Sequence, residues 1–153
     1  KVSVDGKLVS GDAPTKESFL HLAMYRERAA AGAVIHLHST HSVAVSCLDG
    51  IDHADVLPPI TAYYVMRVGK LPLIPYYAPG DNALGEAVGK MAAKHAAVLL
   101  ASHGPVVSGS TLTSAMDAIE ELEETARLFL LLHGKPTRYL SVAQIEDLKR
   151  RFP

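Results

Sequence analysis

Ala33-Val34-Ile35-His36-Leu37-His38-Ser39-Thr40 passes from small and β-branched apolar residues into polar ones. That pattern predicts a buried strand over Ala33–Leu37 that ends as His38, Ser39 and Thr40 arrive. A second apolar run, Ala96 to Ser102, predicts another buried strand, broken by His103-Gly104-Pro105 before Val106-Val107 resumes. Upstream of the first strand, Pro14 and Thr15 open a helix. Thr15 reads as its N-cap, and Phe19, Leu22 and Ala23 recur at helical spacing toward Gly32. Between the strands lie a helix over Val43–Leu48, an irregular stretch around Pro58-Pro59 and 60–68, a strand-like Leu71–Pro75, and a helix from Asn82 to about His95. Thr111 to His133 is a long amphipathic helix ending at Gly134, and Ser141-Val142-Ala143-Gln144 is a capping box for a last short helix. Val2 to Val9 around Asp5-Gly6 reads as a short hairpin. Strands alternating with helices define a three-layer α/β domain.

The bulk properties narrow the function. A chain of 153 residues matches one domain of about 150 residues, so 1–153 reads as a single domain with no linker or repeat. Lys plus Arg number 15 and Asp plus Glu 16, a net charge of −1, so no positive excess is available for a nucleic-acid backbone. The apolar run Leu128–Leu132 is far short of a membrane span and lies in a charged helical pattern. The start lacks the basic flank and apolar stretch of a signal peptide. One cysteine, Cys47, reads as a small core residue of a helix, and a lone thiol suits the reducing cytoplasm. The eight histidines are left to explain.

His36 and His38 are two apart at a strand end, so their rings project to the same face. An isolated pair of this kind is more often one hydrogen-bonded core histidine and one solvated one. His103 shifts that balance, because it stands where the second buried strand stops, and strand ends are where α/β folds build sites. Three neutral imidazoles with an open fourth position describe a catalytic zinc site. His41, beyond the strand, is a rival third ligand but less well aimed, and reads as supporting or structural. Glu17 falls near the start of the first helix, where the dipole favours a carboxylate. On local features alone it is an ordinary first-turn acid. Thr15 and Lys16 beside it suit a phosphate at a helix N-terminus, or equally a charged surface turn.

The ordered set Pro14-Thr15-Lys16-Glu17, Ala33-Val34-Ile35-His36-Leu37-His38-Ser39 and Ser102-His103-Gly104-Pro105 resembles the signature of the zinc-dependent class II aldolase/adducin family. The likeness runs on through Tyr63, Pro75-Tyr76-Tyr77, Pro79-Gly80-Asp81 and Glu120-Glu121-Leu122-Glu123-Glu124-Thr125. These segments are similar to a branch that decarboxylates 3-oxo-tetronate 4-phosphates. The resemblance implies a three-layer α/β/α fold with a central, mostly antiparallel sheet. It implies one Zn2+ per subunit held by His36, His38 and His103, with Mn2+ or Co2+ also acceptable to imidazoles.

By the same resemblance, Glu17 is the acid/base, able to ligate the metal and swing away when substrate binds. Tyr63 is a tyrosine lent to an adjacent subunit's site, or locally a packed aromatic. Thr15 and Lys16 lie near the substrate phosphate, although Lys16 departs from the aldolase pattern. The implied partners are a small phosphorylated sugar acid and further copies of the chain in a homotetramer, with no nucleic acid and no membrane. The family's Gly-Asn-x-Ser phosphate loop would lie upstream of Lys1, so part of the natural domain is expected there. The expected reaction is loss of carbon dioxide through an enediolate to give dihydroxyacetone phosphate. A sugar-phosphate aldolase of the fuculose or ribulose phosphate type and a catalytically silent adducin-like interaction module are the alternatives.

Overall fold

The computed structural model describes residues 1–152. Strands β1 (Ala33–His36), β2 (Leu73–Ile74), β3 (Ala97–Leu100) and β4 (Gly104–Gly109) make one sheet in the order β1-β4-β3-β2. β4 is antiparallel to both β1 and β3, and β2 joins β3 in parallel. The expected mostly antiparallel α/β/α architecture is therefore what the chain adopts. Helices α1 (Ser18–Glu27), α2 (Thr40–Ser46), α3 (Ala62–Arg67), α4 (Asn82–Ala92), α5 (Leu112–Leu132) and α6 (Val142–Arg151) complete the order.

Alternation along β3 separates the two helical layers. Val98 and Leu100 point to one face and pack with Leu20 and Met24 of α1 and Leu84 and Val88 of α4. Ala97 and Leu99 point to the other and pack with Val45 of α2, Tyr64 of α3 and Ile119 and Leu122 of α5. Both faces of a strand buried this way read as one continuous apolar run, which is why the 97–100 segment was legible. No helix among the described residues is long and apolar enough to cross a membrane.

Several boundaries differ from the sequence expectation, each for a local reason. The strand predicted over Ala33–Leu37 stops at His36. Leu37 would pair with Pro105, which has no N–H to give, and only the Leu37 N–H to Pro105 carbonyl contact of 3.3 Å survives. Thr15 is not the N-cap of α1: the helix begins at Ser18 and Glu17 occupies the cap position with no side-chain cap bond. Thr15 instead accepts the Glu17 N–H at 3.4 Å in the preceding turn, which leaves the Glu17 carboxylate free to point elsewhere. The stretch 60–68 is not irregular but carries α3, capped by the Thr61 hydroxyl accepting from the Tyr64 N–H. The N-terminal hairpin is reduced to a single bridge, Val2 to Leu8. α4 ends at Ala92, short of His95. The capping box of α6 forms as expected, with Ser141 and Gln144 each bonding the other's backbone.

Candidate metal centre

The antiparallel pairing of β1 with β4 closes the sequence gap between the histidines. His36 is the last residue of β1, opposite Val106, and His103 immediately precedes Gly104, the first residue of β4. His38 lies two residues past the end of β1, and its ring centroid comes within 5.0 Å of that of His36 and 4.7 Å of that of His103. Close approach of the two backbones at this point needs a glycine. Gly104 has φ 146°, and a Cβ there would stand 2.2 Å from the Leu37 carbonyl oxygen.

All three rings turn their Nε2 atoms to one point. The His36 and His103 nitrogens are 3.2 Å apart, and those of His103 and His38 2.9 Å. The Glu17 carboxylate reaches the same point, 3.0 Å from His103 Nε2, 3.6 Å from His36 Nε2 and 4.0 Å from His38 Nε2. One donor atom from each of the four residues lies within 4.8 Å of every other. The sequence brought these four forward as site residues, and the fold brings all four together.

The chemistry of this donor set fits a divalent cation. His36 Nδ1 lies 2.9 Å from the Pro105 carbonyl oxygen, which can only accept, so the ring's proton sits on Nδ1 and Nε2 presents a lone pair. Burial holds the His36 ring's pKa below its ordinary value, despite the raising effect of the Pro105 carbonyl. The neutral ring is the ligating form. Lone pairs converging this closely repel unless a proton or a metal cation lies between them. Two nitrogens each about 2.0–2.1 Å from a tetrahedral zinc stand about 3.3–3.4 Å apart, close to the separations found. His36 is buried in the wall, its side chain 5% exposed, whereas His38 is 60% exposed. One side of the cluster therefore opens outward, as a catalytic site requires. Beside it lies a cavity of about 550 Å3, walled by Glu17, His38 and His103 together with Thr40, Val43, Tyr76, Tyr77, Pro79 and Ser102.

The other expected site residues lie apart from this cavity. Thr15 and Lys16 sit in the exposed turn just before Glu17, and Thr15 lines a separate cavity with Val2, Ser18 and His21. Tyr63 is 58% exposed on α3, with the Arg67 guanidinium 5.6 Å above its ring. Cys47 is not a core residue. It caps the C-terminus of α2, is exposed, and its thiol lies 3.8 Å from the Ser102 hydroxyl.

A supporting residue escaped the sequence reading. Glu123, on α5, accepts the backbone N–H groups of His41 and Ser42 at 2.8 and 2.9 Å. It also takes the Ser42 hydroxyl at 2.7 Å and His41 Nδ1 at 2.8 Å. Those amides are the N2 and N3 donors of α2, which its own N-cap Ser39 leaves unbonded. Glu123 thus caps α2 from another helix and fixes the chain just beyond His38. It also explains why α2 starts at Thr40 rather than Val43, and His41 is structural as expected. Helical spacing contains the signal: Glu123 lies four residues after buried Ile119 and three before buried Ala126.

Burial pushes the Glu123 carboxyl up, but the Ser42 hydroxyl and the His41 and Ser42 amides outweigh it and hold it at about 2, against an ordinary 4.5. A depressed folded-state pKa gives stability that is present above the unfolded value and is lost as pH falls toward 2. Glu123→Gln is expected to cost about 1–2 kcal/mol at neutral pH, after discounting for solvent screening, and to lower Tm by roughly 3–8 °C. Melting curves of both proteins should converge as the pH falls from 4.5 toward 2. A constant gap across that range contradicts the assignment.

Residues 1–130 match the class II aldolase and adducin N-terminal domain, and the chain belongs to that family. It is 51% identical to the 3-oxo-tetronate 4-phosphate decarboxylase of Pectobacterium atrosepticum over 97% of its own length and 68% of that protein. The L-fuculose phosphate aldolase of Methanocaldococcus jannaschii is 33% identical, over 86% of this chain and 68% of the aldolase. The crystal structure of Escherichia coli YgbL superposes with a TM-score of 0.93 at 48% identity, covering 97% of this chain and 72% of the other.

Proposed function

We propose that the protein is a zinc-dependent lyase that decarboxylates a 3-oxo-tetronate 4-phosphate to dihydroxyacetone phosphate and carbon dioxide. The observation that carries the reading is the convergence of three imidazole nitrogens and one carboxylate within 4.8 Å at the edge of an open cavity. Half-identity to decarboxylases of that substrate supports the choice of reaction. A silent interaction module has no use for such a cluster.

His36, His38 and His103 would hold the ion, zinc by preference, with Mn2+ or Co2+ accepted by the same imidazoles. When bound, it would act as a Lewis acid toward the oxygens of the ketone and the neighbouring hydroxyl. The substrate carboxylate is β to the ketone, so its carbon–carbon bond can break with the electron pair passing toward the ketone oxygen. The carbon left behind needs one proton, and the Glu17 carboxyl is the group at hand to deliver it. Glu17 would add a carboxylate to the three imidazoles that hold the ion, and would serve as the acid/base toward bound substrate. Thr15 and Lys16, in the turn that precedes Glu17, would receive the phosphate. Tyr63 is exposed enough to serve a neighbouring copy's site within a tetramer. A phosphorylated substrate and a single free cysteine both suit the cytoplasm.

Full-length enzyme loaded with zinc and given carboxyl-labelled 3-oxo-tetronate 4-phosphate should release labelled carbon dioxide and one dihydroxyacetone phosphate per turnover. Glu17→Gln should retain zinc on its three histidines and lose about 10²–10⁴-fold in kcat. Release of an aldehyde from a ketose phosphate, without carbon dioxide from the keto acid, would favour the aldolase reading instead. The 33% identity to an aldolase is what keeps that second reading in view.

A further inference from the structure

Ser102 is the one non-glycine residue with a positive φ, 54°, among the described residues. It sits in the connection 101–103 between β3 and β4, where Leu100 pairs with Gly104. Connections of this length commonly need one residue in the left-handed region, and glycine fills it at least cost. A serine kept there is strained, and such strain tends to persist where a side chain has work to do. Its hydroxyl is exposed on the wall of the metal-site cavity, next to His103, with only the weak Cys47 thiol as partner.

The position of the wall indicates which part of the substrate meets it. Thr15 and Lys16 precede Glu17 on the chain and do not line this cavity, whereas Ser102 faces it together with Thr40 and Tyr76. Thr15 lies outside this cavity and Ser102 on its wall, so a phosphate held at Thr15 leaves the departing carboxylate, at the other end of the four-carbon acid, to the cavity where Ser102 stands. None of the described side chains lining the cavity is a lysine or arginine. A neutral hydroxyl suits a leaving carboxylate better than a cation does, and of the hydroxyls on this wall that of Ser102 is the one on a strained backbone beside His103. It orients the anion without stabilising it so strongly that charge loss becomes costly.

We propose that Ser102 is a specificity-determining residue that donates a hydrogen bond to the departing carboxylate and turns its carbon–carbon bond out of the ketone plane. The inference rests on the decarboxylase reading and extends it. When that bond breaks, its electron pair enters the ketone π system, carbon dioxide leaves neutral, and the hydroxyl contact is released with it. The proton that completes the product comes from Glu17, not from Ser102.

The test separates reaction at the carboxylate from reaction at the rest of the substrate. Dihydroxyacetone phosphate has no carboxylate, yet the enzyme should exchange its hydroxymethyl proton with deuterium oxide through the same enediolate. In full-length zinc-loaded enzyme, Ser102→Gly keeps the left-handed backbone, removes the hydroxyl, and should melt no lower than the parent. Its kcat/KM for carbon dioxide release is expected to fall at least about 10-fold, the loss typical of a hydrogen bond to a charged group. Zinc content and the rate of deuterium exchange, read by NMR, should stay within about 2-fold of the parent. Ser102→Ala should show the same split, with some loss of stability from its strained backbone. Unchanged decarboxylation in Ser102→Gly, or equal losses in decarboxylation and exchange, would overturn the assignment. Parent enzyme that releases no carbon dioxide would overturn the decarboxylase reading and this inference with it, whereas failure in the variants alone touches only Ser102.

Discussion

Replacing His103 with alanine is expected to strip the metal from the protein while leaving its fold intact. The His103 ring belongs to neither apolar cluster, and its Nε2 is the atom nearest both His38 and Glu17. Without it the remaining donors are two imidazoles and a carboxylate, one imidazole short of the set. Loss of an outer partner of a ligand typically costs 10–100-fold in metal affinity, so loss of the ligand itself should exceed about 100-fold. Stability should report the same event by linkage. Zinc at 1,000 times its Kd raises stability by about 4 kcal/mol, a gain expected of the parent and not of His103→Ala. Melting with and without zinc, and metal content after dialysis, check both parts. A variant that keeps zinc and its stabilising effect would remove His103 from the ligand set.

Gly104→Ala is expected to damage the fold and the site together. The new Cβ would meet backbone rather than a flexible side chain: the Leu37 carbonyl oxygen at 2.2 Å, its carbon at 3.2 Å and the His38 Cα at 3.3 Å. A φ of 146° adds conformational cost for any residue but glycine. The end of β1 must move away from the start of β4, which carries His38 away from His103. Strain and lost pairing of this kind cost about 2–4 kcal/mol, or roughly 5–15 °C in Tm for a domain of this size. Zinc affinity should fall at least about 10-fold, since a displacement of about 1 Å exceeds the tolerance of a preorganised site. A variant with parental Tm and parental zinc affinity would show that the close approach of the strands is dispensable.

The contrast between these two positions shows what the amino-acid sequence could convey. The strand at 97–100 was legible because both of its faces are buried, and the capping box at Ser141 because its chemistry is local. The His36, His38 and His103 set was legible from imidazoles placed at strand ends, and Glu17 only through the family resemblance. Residues whose role depends on a neighbour's backbone were not. Glu123 looks like one more acid in a Glu-rich helix until α2 packs against α5 and presents two unbonded amides to it. Ser102 is an unremarkable serine until its backbone is seen to be left-handed on the cavity wall. The shift of the α1 start from Thr15 to Ser18 also matters to the site. A Glu17 inside the helix would carry its side chain along the helix surface, whereas at the cap it turns toward the histidines.

Equilibrium titration of the metal-free enzyme with Co2+, followed by its visible absorption, addresses the three-histidine centre without reliance on turnover. The expected result is one ion per chain, displaced by one equivalent of zinc, with a spectrum of low coordination number that changes in Glu17→Gln and is lost in His36→Ala. Absence of stoichiometric binding, or a spectrum unchanged by loss of the His36 ring, would contradict the account.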